Sequence, residues 1–304
     1  MKMNMWRGGI GCGLLLVGLF VATPAHADLT HEYSFTNGAT DSIGGANGTL
    51  MNSATVSGGA LNLNNPNFTG NTSGQTDLSG YLSLPVSILP TSGAVTIETW
   101  FTFTGSGFYT EAWTFSNATD ANPPVGGEYM MDTISAPQPA GTPGAGNNTG
   151  GNHIVEGLHG YNPGPEIDAF STTPNIGAFG GGYLDNGDTC FSAVTIDSTG
   201  LLSYYLYDET AGAGGLQSVV AGNPLSAFSF TNAYLGRSAF SGDNATSGSI
   251  DEFRIYNNAE SASNIAADYA AGPNVVLAVP EPVSFSVLAI GAAGLLLRRR
   301  NAAK

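Results

Sequence analysis

Acidic residues are the first groups in this 304-residue chain whose types and spacing suggest chemistry. Asp41 opens the turn-like run Asp41-Ser42-Ile43-Gly44-Gly45, and Asp251 lies in a strand-like run. Calcium takes about six to eight oxygen ligands, which loops rich in Asp, Asn and Gly supply. Asp41 and Asp251 are therefore candidate calcium ligands, and structural calcium is the expected cofactor. The alternative is that Asp41 caps its turn and that Asp251 pairs with Arg237 or Arg254.

Glu166 and Asp168 are a second pair of carboxylates, separated by one residue. Alternate residues of a strand face the same side, and glycoside hydrolysis needs two carboxyl groups that flank the scissile bond. Pro163 and Pro165 precede the pair, however, and prolines are uncommon inside sheets. The context favours a solvated acidic loop over a catalytic strand.

Three histidines lie beyond residue 27, and none has the spacing of a known catalytic or metal motif. His31 alternates with Tyr33 in a predicted strand, and His153 and His159 flank Glu156 in a spacing that matches no zinc site. The chain has no Gly-x-Ser-x-Gly elbow, and its Gly-rich runs lack the strand and helix of a phosphate loop. We predict no catalytic residue.

Sugar binding needs an aromatic platform and a few fixed polar groups. Four aromatic residues lie in or beside irregular segments and are the candidates for such a platform: Tyr109, Trp113, Tyr129 and Tyr161. The alternative is that each of them packs under a loop. Trp100 lies in a regular strand pattern and is expected in the core.

The charge distribution limits the partners. Six of the eight basic residues lie near the two ends, so residues 28–278 contain 22 acidic side chains and only two arginines. Such a surface repels phosphate backbones and anionic lipids, and we expect no nucleic-acid partner. Cations and neutral sugars remain as ligand classes.

The sequence predicts that the elements carrying these groups are mostly β-strands. Residues 94–103 put four apolar side chains on one face and Trp100 with polar side chains on the other. The same period of two recurs over short stretches of residues 28–274. Ser261–Tyr269 is the exception, where a serine N-cap and apolar residues four apart predict one short helix before Gly272. Many strands and one terminal helix predict an all-β antiparallel sandwich.

Two other features of residues 28–278, which we term the body, follow directly from the sequence. The stretch from Asp120 to Pro165 is rich in Gly, Pro and Asn, which predicts one or two long loops with a short strand at Glu128–Ile134. Cys190 is the one cysteine beyond residue 27 and lies in an apolar strand pattern. It is predicted to be a buried structural thiol, so no intramolecular disulfide is expected in the body.

The N-terminus reads as a secretory signal. Lys2 and Arg7 precede an apolar run that is followed by Ala25-His26-Ala27, which predicts cleavage by signal peptidase after Ala27. The alternative is an uncleaved anchor.

The C-terminus has Pro280-Glu281-Pro282, an apolar run over residues 283–297 and the triplet Arg298-Arg299-Arg300. The run reaches about 22 Å as a helix, which spans a bilayer only marginally, and the arginines favour the cytoplasmic side. This arrangement resembles the PEP-CTERM sorting signal of Gram-negative bacteria. The resemblance implies recognition by a membrane-embedded exosortase, removal of the tail, and release or attachment at the cell surface.

Four blocks of the body carry a second resemblance. They are the run from His31 to Leu50, the strands Tyr81–Leu84 and Val95–Trp100, residues 187–208, and residues 235–257 with the helix that follows. Together they resemble LamG-like, concanavalin A-like jelly-roll domains over about residues 29–272. Cys190-Phe191 stands where that family commonly has Trp-His, and Glu209 replaces a hairpin glycine.

This resemblance implies a fold and a range of functions. It places Asp41 and Asp251 side by side where the first and last strands meet, so that shared calcium would tie the chain ends together. Laminarinase-type hydrolases of this fold carry Glu-x-Asp-x-Glu on one strand, and Phe170 occupies the third position here. Glycoside hydrolysis is therefore only the alternative.

The expected organisation is a signal peptide over residues 1–27, a jelly-roll domain over 28–272, a linker over 273–278 and a sorting signal over 279–304. The expected function is a non-enzymatic, lectin-like surface or matrix protein that binds carbohydrate or a surface partner in an exopolysaccharide context. A purely structural envelope protein is a further alternative.

Overall fold

The structure is a computed structural model, and it describes part of the chain. The described residues are 28–65, 79–104, 110–117, 127–134, 153–157, 167–170, 187–210, 212–240 and 243–277. The predicted signal and sorting segments, with Ala25, Ala27 and the Pro280-Glu281-Pro282 motif, lie outside them. No helix within the described ranges has the length and apolar character needed to cross a membrane.

Short strands dominate the described residues. In chain order they are β1 (Leu29–Tyr33), β2 (Thr49–Met51), β3 (Thr55–Ser57), β4 (Ala60–Leu63), β5 (Tyr81–Leu84), β6 (Val95–Phe103), β7 (Thr110–Ser116), β8 (Tyr129–Ile134), β9 (His153–Gly157), β10 (Ile167–Phe170), β11 (Thr189–Ile196), β12 (Leu201–Asp208), β13 (Ala213–Ala221), β14 (Asn232–Leu235) and β15 (Gly248–Tyr256). One α-helix among the described residues, α1 (Ala262–Ala271), follows the last strand.

These strands form two antiparallel sheets. The first sheet has the order β13-β12-β11-β6-β15-β4-β3, with β1 also paired to β15, and the second has the order β10-β9-β8-β7-β14-β5-β2. The antiparallel sandwich and its single short helix, both predicted from the sequence, are confirmed. Because β1 pairs with β15 through Tyr33 and Phe253, the two ends of the body meet in the first sheet.

The core lies between the two sheets. On the central strand β6, Val95, Ile97, Phe101 and Phe103 face inward and are buried in the main apolar cluster. Trp100 faces outward and is buried as well, because α1 covers that face through Ile265. The inner face of each sheet is the one toward the other sheet, and the outer face is the opposite one.

Helix α1 forms as its capping residues predict. The Ser261 side chain accepts a hydrogen bond from the backbone N–H of Asn264 at 3.2 Å, and Gly272 ends the helix with a φ of 78°. A positive φ is easily adopted by glycine and stops the helix.

The buried side chain of Cys190 confirms the prediction of a structural thiol.

The predicted loop region contains more strand than expected. The strand at Glu128–Ile134 is present as β8, but β9 adds to its edge and β10 pairs in turn with β9. The prediction of a loop at Asp168 was therefore wrong, since Asp168 lies in β10 opposite Val155. Antiparallel pairing satisfies the backbone of these strands in spite of the Gly and Pro around them.

Candidate functional site

Asp41 is a buried turn cap. Its Oδ1 accepts hydrogen bonds from the backbone N–H groups of Glu32, Ile43 and Gly44 at 3.0–3.1 Å. Its Oδ2 accepts from the backbone N–H of Ala46 at 2.9 Å and lies 2.7 Å from His31 Nδ1. Five contacts occupy the carboxylate, as the turn-cap alternative predicts, and the groups around it are hydrogen-bond donors.

Asp251 lies at the bulge of β15 and is half-buried. Burial raises the pKa of Glu209, and the negative charge of Asp251 adds to this effect. Asp251 does not pair with Arg254, whose Nε donates to Glu252 Oε1 at 2.8 Å. Among the residues that the structure describes, no three His, Cys, Asp or Glu side chains come together as a metal-ligand set.

Two of the four predicted sugar-binding aromatics lie inside the protein. Trp113 is 1% exposed and belongs to the main apolar cluster, and Tyr129 is 0% exposed and contacts Phe240. Neither offers a ring face to solvent, because both strands that carry them are covered on both sides. These two residues therefore follow the packing alternative. Tyr109 and Tyr161 lie outside the described residues, as do Glu166 and His159.

A different group of side chains stands out on the outer face of the second sheet. Trp113 and Phe115 of β7 face the core, so Thr114 and Ser116 face outward. A bulge between Glu111 and Trp113 puts Glu111 opposite Thr133, on the same outer face. Glu111, Thr114 and Ser116, which we term the polar row, are buried, and the hydroxyls of Thr114 and Ser116 have no hydrogen-bond partner within the described structure.

The polar row is flanked by a tyrosine pair. Tyr234 of β14 stands opposite Thr114, and Tyr81 of β5 contacts Tyr234 edge to face with 5.3 Å between the ring centroids. The guanidinium carbon of Arg237 lies 4.8 Å from the Tyr81 centroid and 5.8 Å from that of Tyr234. Cation–π contacts of this length fix the orientation of both rings. The two tyrosines remain half-buried, so part of each is accessible.

The segment after β14 folds over the other end of the polar row. The backbone N–H of Gly236 donates to Ala112 O at 3.0 Å, which continues the pairing beyond β14. Thr246 Oγ1 accepts from the backbone N–H of Glu111 at 3.0 Å and donates to Glu111 O at 2.8 Å. Burial raises the pKa of the Glu111 carboxyl well above its usual range and the charge of Asp243 adds to this effect, while the Ser238 hydroxyl acts to lower it.

Sequence reasoning did not select these residues, although weak signals were present. Arg237 is one of only two arginines in residues 28–278, and a rare cation in an acidic stretch of chain indicates a specific contact. Glu111, Thr114 and Ser116 are polar positions on a strand, which ordinarily indicates a solvated face. Only the packing shows that this face is covered.

Comparison with known proteins relates the chain by fold. No protein-family model matches it, and no curated protein matches its sequence. Among solved structures, it is similar to domain 4 of AbnA, a GH43 extracellular arabinanase from Geobacillus stearothermophilus, solved in complex with arabinotriose. The TM-score is 0.52 at 18% identity, over 79% of this chain and 98% of that domain.

Two further structures show weaker similarity. The binding domain of botulinum neurotoxin serotype D/C VPI 5993 aligns with a TM-score of 0.49 at 13% identity, over 79% of this chain and 51% of that one. The CBM40 of the Ruminococcus gnavus IT-sialidase aligns with a TM-score of 0.38 at 16% identity, over 58% and 83% of the two chains. The chain thus spans about half the length of the neurotoxin domain. At 18% identity, the similarity to domain 4 of AbnA establishes a shared β-sandwich fold.

Proposed function

We propose that this protein is a non-enzymatic surface or matrix protein that binds a neutral glycan on the outer face of its second sheet. The observation that carries the proposal is the set of buried hydroxyls without partners, Thr114 and Ser116, beside the half-buried Tyr81 and Tyr234. A buried hydroxyl without a hydrogen bond costs about 1–3 kcal/mol. Tyrosine rings suit the apolar faces of sugars, and a ligand rich in hydroxyls that reached the covered Thr114 and Ser116 would satisfy them.

The dimensions and charge of the site support a neutral oligosaccharide. The polar row extends about 13 Å along β7, counting the bulged position as one step. The negative charge of the body disfavours polyanions, while Arg237 is engaged with the two tyrosine rings. The fold shared with domain 4 of an arabinanase that was solved with arabinotriose is consistent with this ligand class.

Export belongs to the same proposal. The LamG-like and PEP-CTERM resemblances support a protein that is cut by signal peptidase after Ala27, processed by an exosortase near Pro280-Glu281-Pro282 and delivered to the envelope or matrix. Intact-mass measurement of the protein recovered from the cell surface tests this route. A full-length mass from the cytosol would contradict it.

The binding site is tested with purified protein on an array of neutral glycans, followed by titration of the best ligand. Tyr234→Ala should weaken binding at least tenfold. The matched control is Tyr207→Ala, because Tyr207 is also a half-buried tyrosine that contacts a second tyrosine ring but lies on the outer face of the first sheet. Equal losses in both variants would contradict the proposed site.

Thr114→Val separates binding from folding. Valine has a similar shape but no hydroxyl, so it removes an unsatisfied polar group, and the variant should be at least as stable as the wild type. Its affinity for the glycan should nevertheless fall several-fold. Unchanged affinity would show that the polar row does not contact the ligand, and release of reducing sugar would favour hydrolysis instead.

A further inference from the structure

The structure describes two Asn-Gly pairs completely, Asn37-Gly38 and Asn47-Gly48, in the segment between β1 and β2. An asparagine that precedes glycine can lose its side-chain amide, because glycine has no Cβ to hinder the approach of its backbone nitrogen to the side-chain carbon of the asparagine. Both asparagines are exposed, so exposure does not distinguish the two pairs. Their contacts do.

Asn47-Gly48 is held in place by its neighbours. Asn47 Oδ1 accepts a hydrogen bond from the backbone N–H of Asp41 at 3.0 Å, which fixes the side-chain amide. The backbone N–H of Gly48 donates to Ala39 O at 2.8 Å. A Cβ at Gly48 would lie 3.0 Å from the side chain of Leu82, so this glycine is packed closely against β5. A reaction between the Gly48 nitrogen and the Asn47 side chain therefore needs local unfolding.

Asn37-Gly38 is restrained much less. The Asn37 side-chain amide makes no hydrogen bond within the described structure, although the backbone oxygen of Asn37 accepts from Thr40 Oγ1 at 2.8 Å. Gly38 has a φ of 72°, and no described atom beyond its chain neighbours lies within 4 Å of the position that a Cβ would occupy. The space around this pair is open, so the Asn37 side chain can turn toward the Gly38 nitrogen in the folded protein.

We infer that Asn37 is a site of spontaneous deamidation in the folded protein. The Gly38 nitrogen loses its proton to the solvent and attacks Cγ of Asn37. A bond forms between these two atoms, the bond from Cγ to Nδ2 breaks, and the side-chain nitrogen takes up a proton from water and leaves as ammonia. Water then opens the cyclic imide at either carbonyl, which leaves aspartate or isoaspartate at position 37. The net reaction consumes one water and releases one ammonia.

The reaction changes both the charge and the backbone of this segment. Either product adds a carboxylate to a body that is already acidic. The isoaspartate form also adds one carbon to the main chain between β1 and the Asp41 cap. Because water is the only co-reactant, the change needs no enzyme and accumulates with the age of the protein. This inference does not depend on the proposed glycan site.

The test is incubation of the purified full chain in mildly alkaline buffer, with samples digested over time for peptide chromatography and mass spectrometry. Chromatography separates the aspartate and isoaspartate forms of each peptide. Asn37 should be converted at least tenfold faster than Asn47 in the folded protein, because only Asn47 needs local unfolding. In concentrated urea the two rates should come within about threefold of each other, since both asparagines then precede a glycine in an unfolded chain.

Asn37→Gln is the matched variant, because glutamine would have to close a six-membered ring, which forms more slowly. Loss of ammonia at position 37 should slow at least tenfold, while the conversion of Asn47 stays unchanged. Three outcomes would overturn the inference: no conversion of Asn37 in the folded protein, conversion of Asn47 at the same rate, or a rate difference that persists in urea and so belongs to the local sequence. Failure of glycan binding would leave this result unaffected.

Discussion

Ser192 and Asp132 join the two sheets through the core. Ser192 Oγ, on β11 of the first sheet, donates to Asp132 Oδ2, on β8 of the second, at 2.5 Å. Both residues are buried, and the apolar cluster between the sheets surrounds this polar contact. Burial raises the pKa of Asp132 to about 7, although the Ser192 hydroxyl acts to lower it.

This contact predicts a pH dependence of stability. An unfolded aspartate has a pKa of about 3.9. Because the folded pKa is higher, the native state favours the protonated form, and the unfolding free energy should fall as pH rises from about 4 to about 7 and then level off. The unfolding free energy of the wild type, measured with urea and compared with that of Asp132→Asn, should fall by about 2–3 kcal/mol between pH 5 and pH 8. Asp197→Asn is the control. The hydrogen bond from the Thr199 side chain, together with backbone hydrogen bonds, lowers the pKa of the exposed Asp197, so this variant should not remove the dependence between pH 5 and pH 8.

Asp41 should be important for stability rather than for metal binding. Asp41→Ala removes the acceptor of four backbone amides and the contact with His31, and we expect a loss of about 2 kcal/mol or more. Asp41→Asn, which keeps one oxygen, should lose less. Urea unfolding of the three proteins checks the order, and equal stability would contradict the capping role.

The same residue predicts a loss of stability in acid. Burial acts to raise the pKa of Asp41, but the hydrogen bonds from His31 and the backbone amides lower it below its usual value. The contribution of Asp41 is therefore present above about pH 3.9 and is lost as pH falls through the lower folded pKa. The difference between wild type and Asp41→Ala should shrink in strongly acidic buffer.

Arg254 holds a buried charge cluster under helix α1. It makes two hydrogen bonds to Glu252 at 2.8 and 3.0 Å, lies 4.5 Å from the Trp100 ring centroid and has Glu98 at 3.9 Å. Arg254→Met would leave two buried acids without their cation, at a cost of about 3–5 kcal/mol. Adding Glu252→Gln to the Arg254→Met variant should restore part of the lost stability, as measured by thermal unfolding. Purely additive effects would argue against a coupled cluster.

Gly248 is required by the close approach of β6. It has a φ of 136°, and a Cβ there would lie 2.0 Å from the backbone oxygen of Thr102. Gly248→Ala should therefore destabilise the protein by at least about 2 kcal/mol more than Gly215→Ala. Gly215 has a similar φ of 140° but open space around its Cβ position, so the pair separates steric clash from backbone strain. Equal unfolding free energies would contradict this assignment.

The sequence alone determined the sandwich, helix α1 and the buried Cys190. These features follow from the alternation in β6, from the Ser261 cap and from an apolar strand pattern, all of which are encoded by neighbouring residues. The tertiary structure decided where the unsatisfied polar groups lie. Thr246 is 135 residues from Glu111 and contacts it only because β7 bulges at that point and the segment after β14 crosses it. Burial of Trp113 and Tyr129 also depends on such distant contacts, which local spacing does not specify.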